Sequence, residues 1–263
     1  MTAIASSLTG ATSSEATWDS INWKTVEAEV RRLQIRIAKA VREGRHGKVK
    51  SLQWLLTHSF SAKLFAVKRV VKNKGGKTPG VDKITWKTPQ QKLKAAQSLK
   101  RKGYKTQPLR RIYIPKKDGR KRPLSIPCMC CRAMQALYLL ALEPVAEFYA
   151  NKNSYGFRPK RSCADALGAC YIALAKKSSS KWIFEADIKS CFDKISHEWL
   201  RNNIPMDKEI LSKWLSAGYM DEGTIHRTDV WDTTGRHCVA NIFKFNPQRT
   251  GRSSDSFYFQ TQR

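Results

Sequence analysis

The sequence predicts an α+β protein, and three features carry that expectation. Apolar residues recur at three- and four-residue steps over 22–71, the period of a helix. They alternate over 109–127 about a Lys-Lys-Asp-Gly turn, the pattern of a hairpin. A mixture of long helix, polar turns and a short apolar strand then fills 128–200. With 263 residues, 41% of them hydrophobic, and 8 Trp, the chain can bury one substantial core or two small ones, which excludes a chain disordered throughout.

The elements follow in order. Residues 1–20, rich in Ser, Thr and Ala and without Arg, read as a flexible start and a poor organelle transit peptide. Asn22 is placed to cap a helix whose Val26, Val30, Leu33, Ile37 and Val41 face inward and which stops near Gly44. Two more apolar series, Val49, Leu52, Leu56 and Leu64, Val67, Val70, flank a break at His58-Ser59-Phe60 and complete a small basic helical bundle. The loop NKGGKTPGVDKITW at 73–86 is either an ordinary connector or a place where backbone amides meet phosphates. It lacks the Gly-Lys-Ser/Thr ending of a nucleotide-binding P-loop. Residues 88–103 read as a basic helix, and 109–127 as a hairpin with a cationic tip of Lys116, Lys117, Arg120, Lys121 and Arg122. That tip suits a phosphate clamp, although surface hairpins are also basic for solubility alone. A helix over about 128–150 carries Met134, Leu137, Leu140, Ala141 and Val145 inward; another ends near Ala175; and WIFEADI at 182–188 reads as a strand.

Charge narrows the function. The 49 Lys and Arg against 21 Asp and Glu leave +28, and self-repulsion of that size opposes compaction unless a polyanion neutralises it. Nucleic acid is therefore the leading partner, since a cationic groove gains affinity by releasing phosphate counterions. Seven unevenly spaced cysteines predict buried thiols in a reducing compartment, and Cys128-Met129-Cys130-Cys131 lacks the spacing of a zinc knuckle. No apolar run approaches a membrane span and no secretory leader is evident. The expectation is a soluble protein without membrane partners, in bacterial cytoplasm or a plastid or mitochondrial matrix, and not secreted.

A carboxylate at the end of an apolar strand needs a cation, because burying it alone costs several kcal/mol. Asp187 occupies such a position; Asp193, six residues on, could instead cap the turn before Ile195. Either aspartate alone is equally a satisfied turn or salt bridge. The motifs taken together say more: NKGGKTPGVD at 73–82, RRIYIPKKDGRKRPLSIP at 110–127, NSYGFRPKRSCADAL at 153–167 and EADIKSCFDKISHEWL at 185–200. In order and spacing this series resembles the group II intron-encoded reverse transcriptases, also called intron maturases, over about residues 20–226.

That resemblance implies a right-hand fold with an N-terminal basic helical region at 21–105 and fingers plus an incomplete palm at 106–226. By position, Asp187 matches the first metal-binding aspartate, which in the family holds Mg²⁺. Phe192 matches the aromatic beneath the incoming sugar that excludes ribonucleotides. Lys116 and Arg122 match the fingers residues that hold the triphosphate of the dNTP, and Arg158 matches a residue of the template and nucleotide pocket. Lys74, Lys77, Arg110 and Arg111 fall where family members grip RNA. The implied partners are the group II intron RNA, template-primer nucleic acid and dNTP.

Beyond 226 the resemblance breaks. The family continues with Gly-Thr-Pro-Gln-Gly-Gly, a Ser-Pro and a hairpin bearing Tyr-Ala-Asp-Asp, which do not follow here; Tyr219-Met220-Asp221-Glu222 lies too early and lacks a flanking apolar strand. Read from the second base of each codon, however, Trp231–Ala240 yields Gly-Thr-Pro-Gln-Gly-Gly-Ile-Val-Ser-Pro with permitted codons, and Phe245–Gly251 yields Leu-Thr-Leu-Asn-Gly-Leu-Glu. The expectation is a one-base shift around codons 226–231 and an out-of-frame tail over about 227–263, and His226, His237 and Cys238 are then read as accidents of frame; a divergent tail is the alternative. Without the second carboxylate pair this chain is expected to be inactive alone, leaving a residual RNA-binding fragment or no function as the second reading.

Overall fold

A computed structural model describes residues 17–115, 119–179, 181–186 and 195–227. Among the described residues there are eight α-helices and one four-stranded mixed sheet, an α/β combination that agrees with the expected class.

Helix α1 (Trp23–Arg42) starts where the Asn22 side chain accepts the Thr25 N–H at 3.3 Å, satisfying one of the donors orphaned at a helix start. Val26, Val30, Ile37 and Val41 are buried as their spacing requires, while Arg31, Arg32, Arg36 and Lys39 stay in solvent. Helices α2 (His46–His58) and α3 (Phe60–Lys72) are separated by Ser59 and bury the two further apolar series. Helix α4 (Pro89–Ser98) is shorter than the expected 88–103; it opens with a reciprocal Thr88–Gln91 capping box and Pro in its first turn.

Strands β1 (Leu109–Pro115) and β2 (Lys121–Ile126) form the expected hairpin, antiparallel, with Arg110 opposite Ile126 and Pro115 opposite Lys121. Helix α5 (Met129–Tyr149) follows, then α6 (Cys163–Leu174), α7 (His197–Asn203), α8 (Lys208–Leu215), and the short strands β3 (Tyr219–Asp221) and β4 (Thr224–His226). The sheet order is β2-β1-β3-β4, with β1 and β3 parallel.

Helix α5 is buried nearly all round, as its apolar sequence demands. Met134, Leu137 and Leu140 enter a core shared with α1 to α4, and Leu139 and Leu142 enter a second cluster with Leu200, Ile204, Leu211 and Leu215 of α7, its cap and α8. Tyr138 meets Trp214 edge-on at 5.7 Å, and the Trp214 indole donates to the Tyr104 hydroxyl at 3.1 Å, tying α8 to the same helix.

Pro144 lies inside α5 and has no N–H to give the carbonyl of Leu140, four residues back. Gln34 of α1 supplies the missing donor, its amide reaching the Leu140 carbonyl at 2.9 Å, and buried Gln53 of α2 donates to the next carbonyl, Ala141, at 3.2 Å. The interruption in one helix thus fixes the seating of two others.

Three expectations are corrected. Residues 182–186 pair with no described strand and leave Trp182, Ile183 and Phe184 largely in solvent; apolar alternation supplies propensity, but a strand needs a ladder partner. Cys128 and Cys131 are buried as expected, whereas Cys163 and Cys170 are exposed, because α6 buries no residue at all. The segment 219–226 does carry flanking strands, since β3 and β4 pair with each other and β3 pairs with β1. Among the described residues, no helix is long and apolar enough to cross a membrane.

Gln34→Ala should lower unfolding free energy by about 1–3 kcal/mol, the cost of stranding a buried acceptor. In a Pro144→Ala background, where the helix regains its own donor, that cost should shrink in denaturant titrations; an equal cost in both backgrounds would contradict this account.

Candidate nucleic-acid interface

The loop after α3 is built by close approach. Asn73 caps a 3-10 turn, Lys74–Lys77, by accepting the Gly75 N–H at 3.4 Å. A Cβ on Gly76 would stand 2.5 Å from the Val71 carbonyl oxygen and 2.8 Å from that of Val70, and a Cβ on Gly80 would stand 2.6 Å from the Cys128 Cα. These neighbours are backbone and cannot yield, so both positions require glycine. Arg132, in the first turns of α5, donates one arm of its guanidinium to the Gly75 carbonyl at 2.7 Å and the other to the Thr78 carbonyl. The turn is therefore clamped between α3 and α5, and Lys74 and Lys77 project from a fixed base into solvent.

The sheet sorts its cations by face. Residues opposite one another in an antiparallel pair share a face, so Arg110 with Ile126 and Arg122 with Ile114 lie on one side. Arg111 falls on the other, where its guanidinium sits 3.7 Å over the Tyr219 ring of β3. Two residues on, the Tyr113 hydroxyl donates to the Asp221 carboxylate at 2.5 Å, and this bond raises the phenol's pKa. The hairpin is thereby held to β3 by a cation on an aromatic ring and a charge-assisted hydrogen bond, besides the parallel ladder.

Arg110 is near enough to Arg132 to repel it. Burial chiefly, with that repulsion added, lowers the Arg132 pKa. The Arg110 Nε is buried without a hydrogen-bond partner among the described residues. Sheet and loop thus bring Arg110 and Arg132 together beside the turn that carries Lys74 and Lys77, while Arg111 is drawn away to Tyr219. Such a gathering of charge favours anions, phosphate among them, with the Arg132 fork itself taken up by the Gly75 and Thr78 carbonyls.

Arg158 is engaged within the fold. Its guanidinium donates to Glu147 of α5 at 3.0 Å, and to the carbonyls of Asn151 at 2.6 Å and Ser154 at 2.9 Å. It ties the 151–158 turn to the end of α5. Lys116, Asp187 and Phe192 lie outside the described residues, as do Asp193 and the stretch beyond 227. Among the described residues no cluster of three or more His, Cys, Asp or Glu side chains is arranged to hold a metal, so they form no Mg²⁺ cage by themselves.

Comparison with known proteins gives this arrangement its setting. Residues 18–99 match the family described as the N-terminal domain of reverse transcriptase, and residues 114–238 match reverse transcriptase (RNA-dependent DNA polymerase). The chain is 35% identical over 172 residues to the group II intron-encoded protein LtrA of Lactococcus lactis subsp. cremoris, covering 62% of this chain and 28% of LtrA. It is 34% identical over 171 residues to the protein YkfC of Escherichia coli (strain K12), covering 60% of this chain and 45% of YkfC. A 91 kDa protein in the cob intron of Schizosaccharomyces pombe is 36% identical over 155 residues, covering 57% of this chain and 19% of that protein. The chain belongs to the group II intron-encoded reverse transcriptase family. It spans less than half the length of each of these relatives.

Within the chain, the N-terminal match takes in α1 to α4 and the clamped turn, and the second match opens at Ile114 in the hairpin. It runs past residue 226 to residue 238, leaving 239–263 outside. Arg132 is the functional-site residue that sequence reasoning missed. Its signal was legible: it is the one charge in the first fourteen residues of an apolar helix, 129–142, and a lone buried charge needs partners. Tyr219, the ring under Arg111, gave no such signal, because its partner is 108 positions away in the chain.

Arg132→Ala strands two carbonyls and should lower stability by about 1–3 kcal/mol, whereas Arg132→Lys, a point charge in place of a fork, should recover part of that in thermal melts. Burial pushes the Cys128 and Cys130 thiols up to about 11, so alkylation near pH 8 should label Cys163 and Cys170 ahead of Cys128 and Cys130; prompt labelling of Cys128 in the native protein would contradict its packing.

Proposed function

We propose that this chain is the RNA-gripping N-terminal region, the fingers and the start of the palm of a group II intron reverse transcriptase and maturase. Its ligand is structured intron RNA, with template-primer nucleic acid and dNTP as ligands of the complete catalytic assembly. The observation that carries the reading is the turn with Lys74 and Lys77, clamped by Arg132 beside Arg110 and the cationic hairpin. Such a fixed cationic surface recognises backbone shape and charge more than base sequence, as RNA recognition requires.

In this reading β1 and β2 are the fingers, and Lys116 and Arg122 hold the triphosphate. Phe192 lies beneath the sugar, and Arg158 acts on the nucleotide pocket through the turn it ties to Glu147. Asp187 would be one Mg²⁺ ligand; the ion, when bound, steadies the triphosphate and lowers the pKa of the attacking hydroxyl. We infer that residues 227–263 are translated out of frame, so the chain offers Asp187 no second carboxylate pair and extends no primer alone. The tail beyond 238, outside the family match, supports that inference. A divergent in-frame tail is favoured by one observation, the inclusion of 227–238 in the match.

Lys74→Ala and Lys77→Ala should weaken binding of intron RNA and flatten its dependence on log salt by about one unit per lysine, with Asp187→Ala binding as the parent does. Salt-insensitive binding, or none, would overturn the RNA-binding role. Primer extension on an RNA template that Asp187→Ala abolishes would overturn the inactivity. Sequencing the transcript across codons 220–255 decides between the two accounts of the tail.

A further inference from the structure

We propose that the exposed face of α2 is a stacking platform for an unpaired nucleobase of a single-stranded nucleic acid, built on Trp54 and His58. The proposal rests on the RNA-binding reading above and adds to it a second kind of contact, made at a site remote in sequence from the 74–82 loop.

Trp54 is 58% exposed although it sits in the middle of a packed helix. Its indole lies on the His58 imidazole with centroids 4.2 Å apart and planes 22° from parallel. The imidazole is held there: its Nδ1 donates to the Trp54 carbonyl at 2.8 Å, since a carbonyl can only accept. The stack thus presents a broad aromatic surface fixed before any ligand arrives, which reduces the ordering cost of binding.

What surrounds the stack selects the ligand. Positions 47, 50, 51, 54, 55 and 58 form the exposed side of α2, which brings Lys50 one turn from Trp54. Helix α2 carries no acidic residue. Lys208 of α8 is close enough to Lys50 to be repelled by it, although its ammonium is held by the carbonyls of Ile204, at 2.7 Å, and Arg201, so it adds positive charge nearby and Lys50 supplies the free donor. A partner protein docking an apolar side chain would gain nothing from that charge. A nucleotide meets both demands at once, with a base for the ring and a phosphate for the lysines.

The test uses the full chain with two fluorescently labelled probes, an oligouridylate of about 12 nucleotides and a blunt RNA duplex, followed by anisotropy. Trp54→Ala and Trp54→Leu should weaken oligouridylate binding about five- to hundredfold, Trp54→Phe should retain most of it, and all three should bind duplex like the parent. His58→Ala should give a smaller loss in the same direction. Equal binding by Trp54→Ala and the parent would overturn the proposal, as would Trp54→Leu matching Trp54→Phe. Loss of self-association in Trp54→Ala with RNA affinity intact would overturn it in favour of a protein contact. If the parent binds both probes through Lys74 and Lys77 while Trp54 is silent, this platform alone fails; if the parent binds neither probe, the RNA-binding reading fails with it.

Discussion

The helical core is organised by the need to bury α5. Its inner positions are apolar on all sides, and no single neighbour covers it, so α1, α2 and α3 pack on one flank and α7 with α8 on another. Packing alone would let such helices slide, because apolar contacts are non-directional. The proline at 144 removes that freedom. It frees the Leu140 carbonyl, which Gln34 of α1 satisfies, and Gln53 of α2 donates to the next carbonyl, Ala141. Register follows from the cost of leaving a buried acceptor unmet.

The same helix places the cationic surface. Arg132 leaves α5 to grip the 74–78 backbone, so the basic turn inherits the rigidity of the core. Several carboxylates meanwhile pair with cations of other segments. Glu27 meets Lys68, Glu143 meets Arg69, Glu147 meets Arg158, and Asp207 and Glu209 meet Arg101. Acids that hold elements together cannot also shield the surface lysines. Pairing acids with bases one for one leaves the chain's excess of +28 unchanged, and that excess opposes the fold until a polyanion arrives. On the proposed reading, nucleic acid would contribute to stability as well as being bound.

Local pattern was legible and distant partnership was not. The 3.6-residue period placed the buried faces of α1, α2, α3 and α5, and the Lys-Lys-Asp-Gly turn placed the hairpin, because each depends on residues close in sequence. The roles of Gly76 and Gly80 could be read only as turn chemistry; their cause is backbone contact with α3 and Cys128. Arg158 illustrates the limit more sharply. The motif around it points to a nucleotide pocket, yet its guanidinium is held by Glu147 and two turn carbonyls, contacts that nothing in the motif announces. Among the residues expected to act, Lys116, Asp187 and Phe192 lie outside the described residues, while Lys74, Lys77, Arg110, Arg111, Arg122 and Arg158 lie within them.

Helix α6 shows what happens where the organising helix does not reach. Its start is well made, with Ser162 and Asp165 in a reciprocal capping box, and the hydrogen bonds from Ser162 hold the Asp165 carboxyl below its usual pKa. The cap therefore weakens as pH falls through that lowered value. Yet Leu167, Tyr171 and Leu174 form a stripe at steps of four and three residues that no described residue covers, and Trp182, Ile183 and Phe184 stand open beside it in sequence. A twelve-residue helix is marginal on local terms alone. Since α8, shorter still, is secured by burying Ile210, Leu211, Trp214 and Leu215, the difference between the two lies in partnership and not in propensity. The stripe is amphipathic in the right period for a core, and the order of 163–186 thus depends on apolar surface that the described residues do not provide.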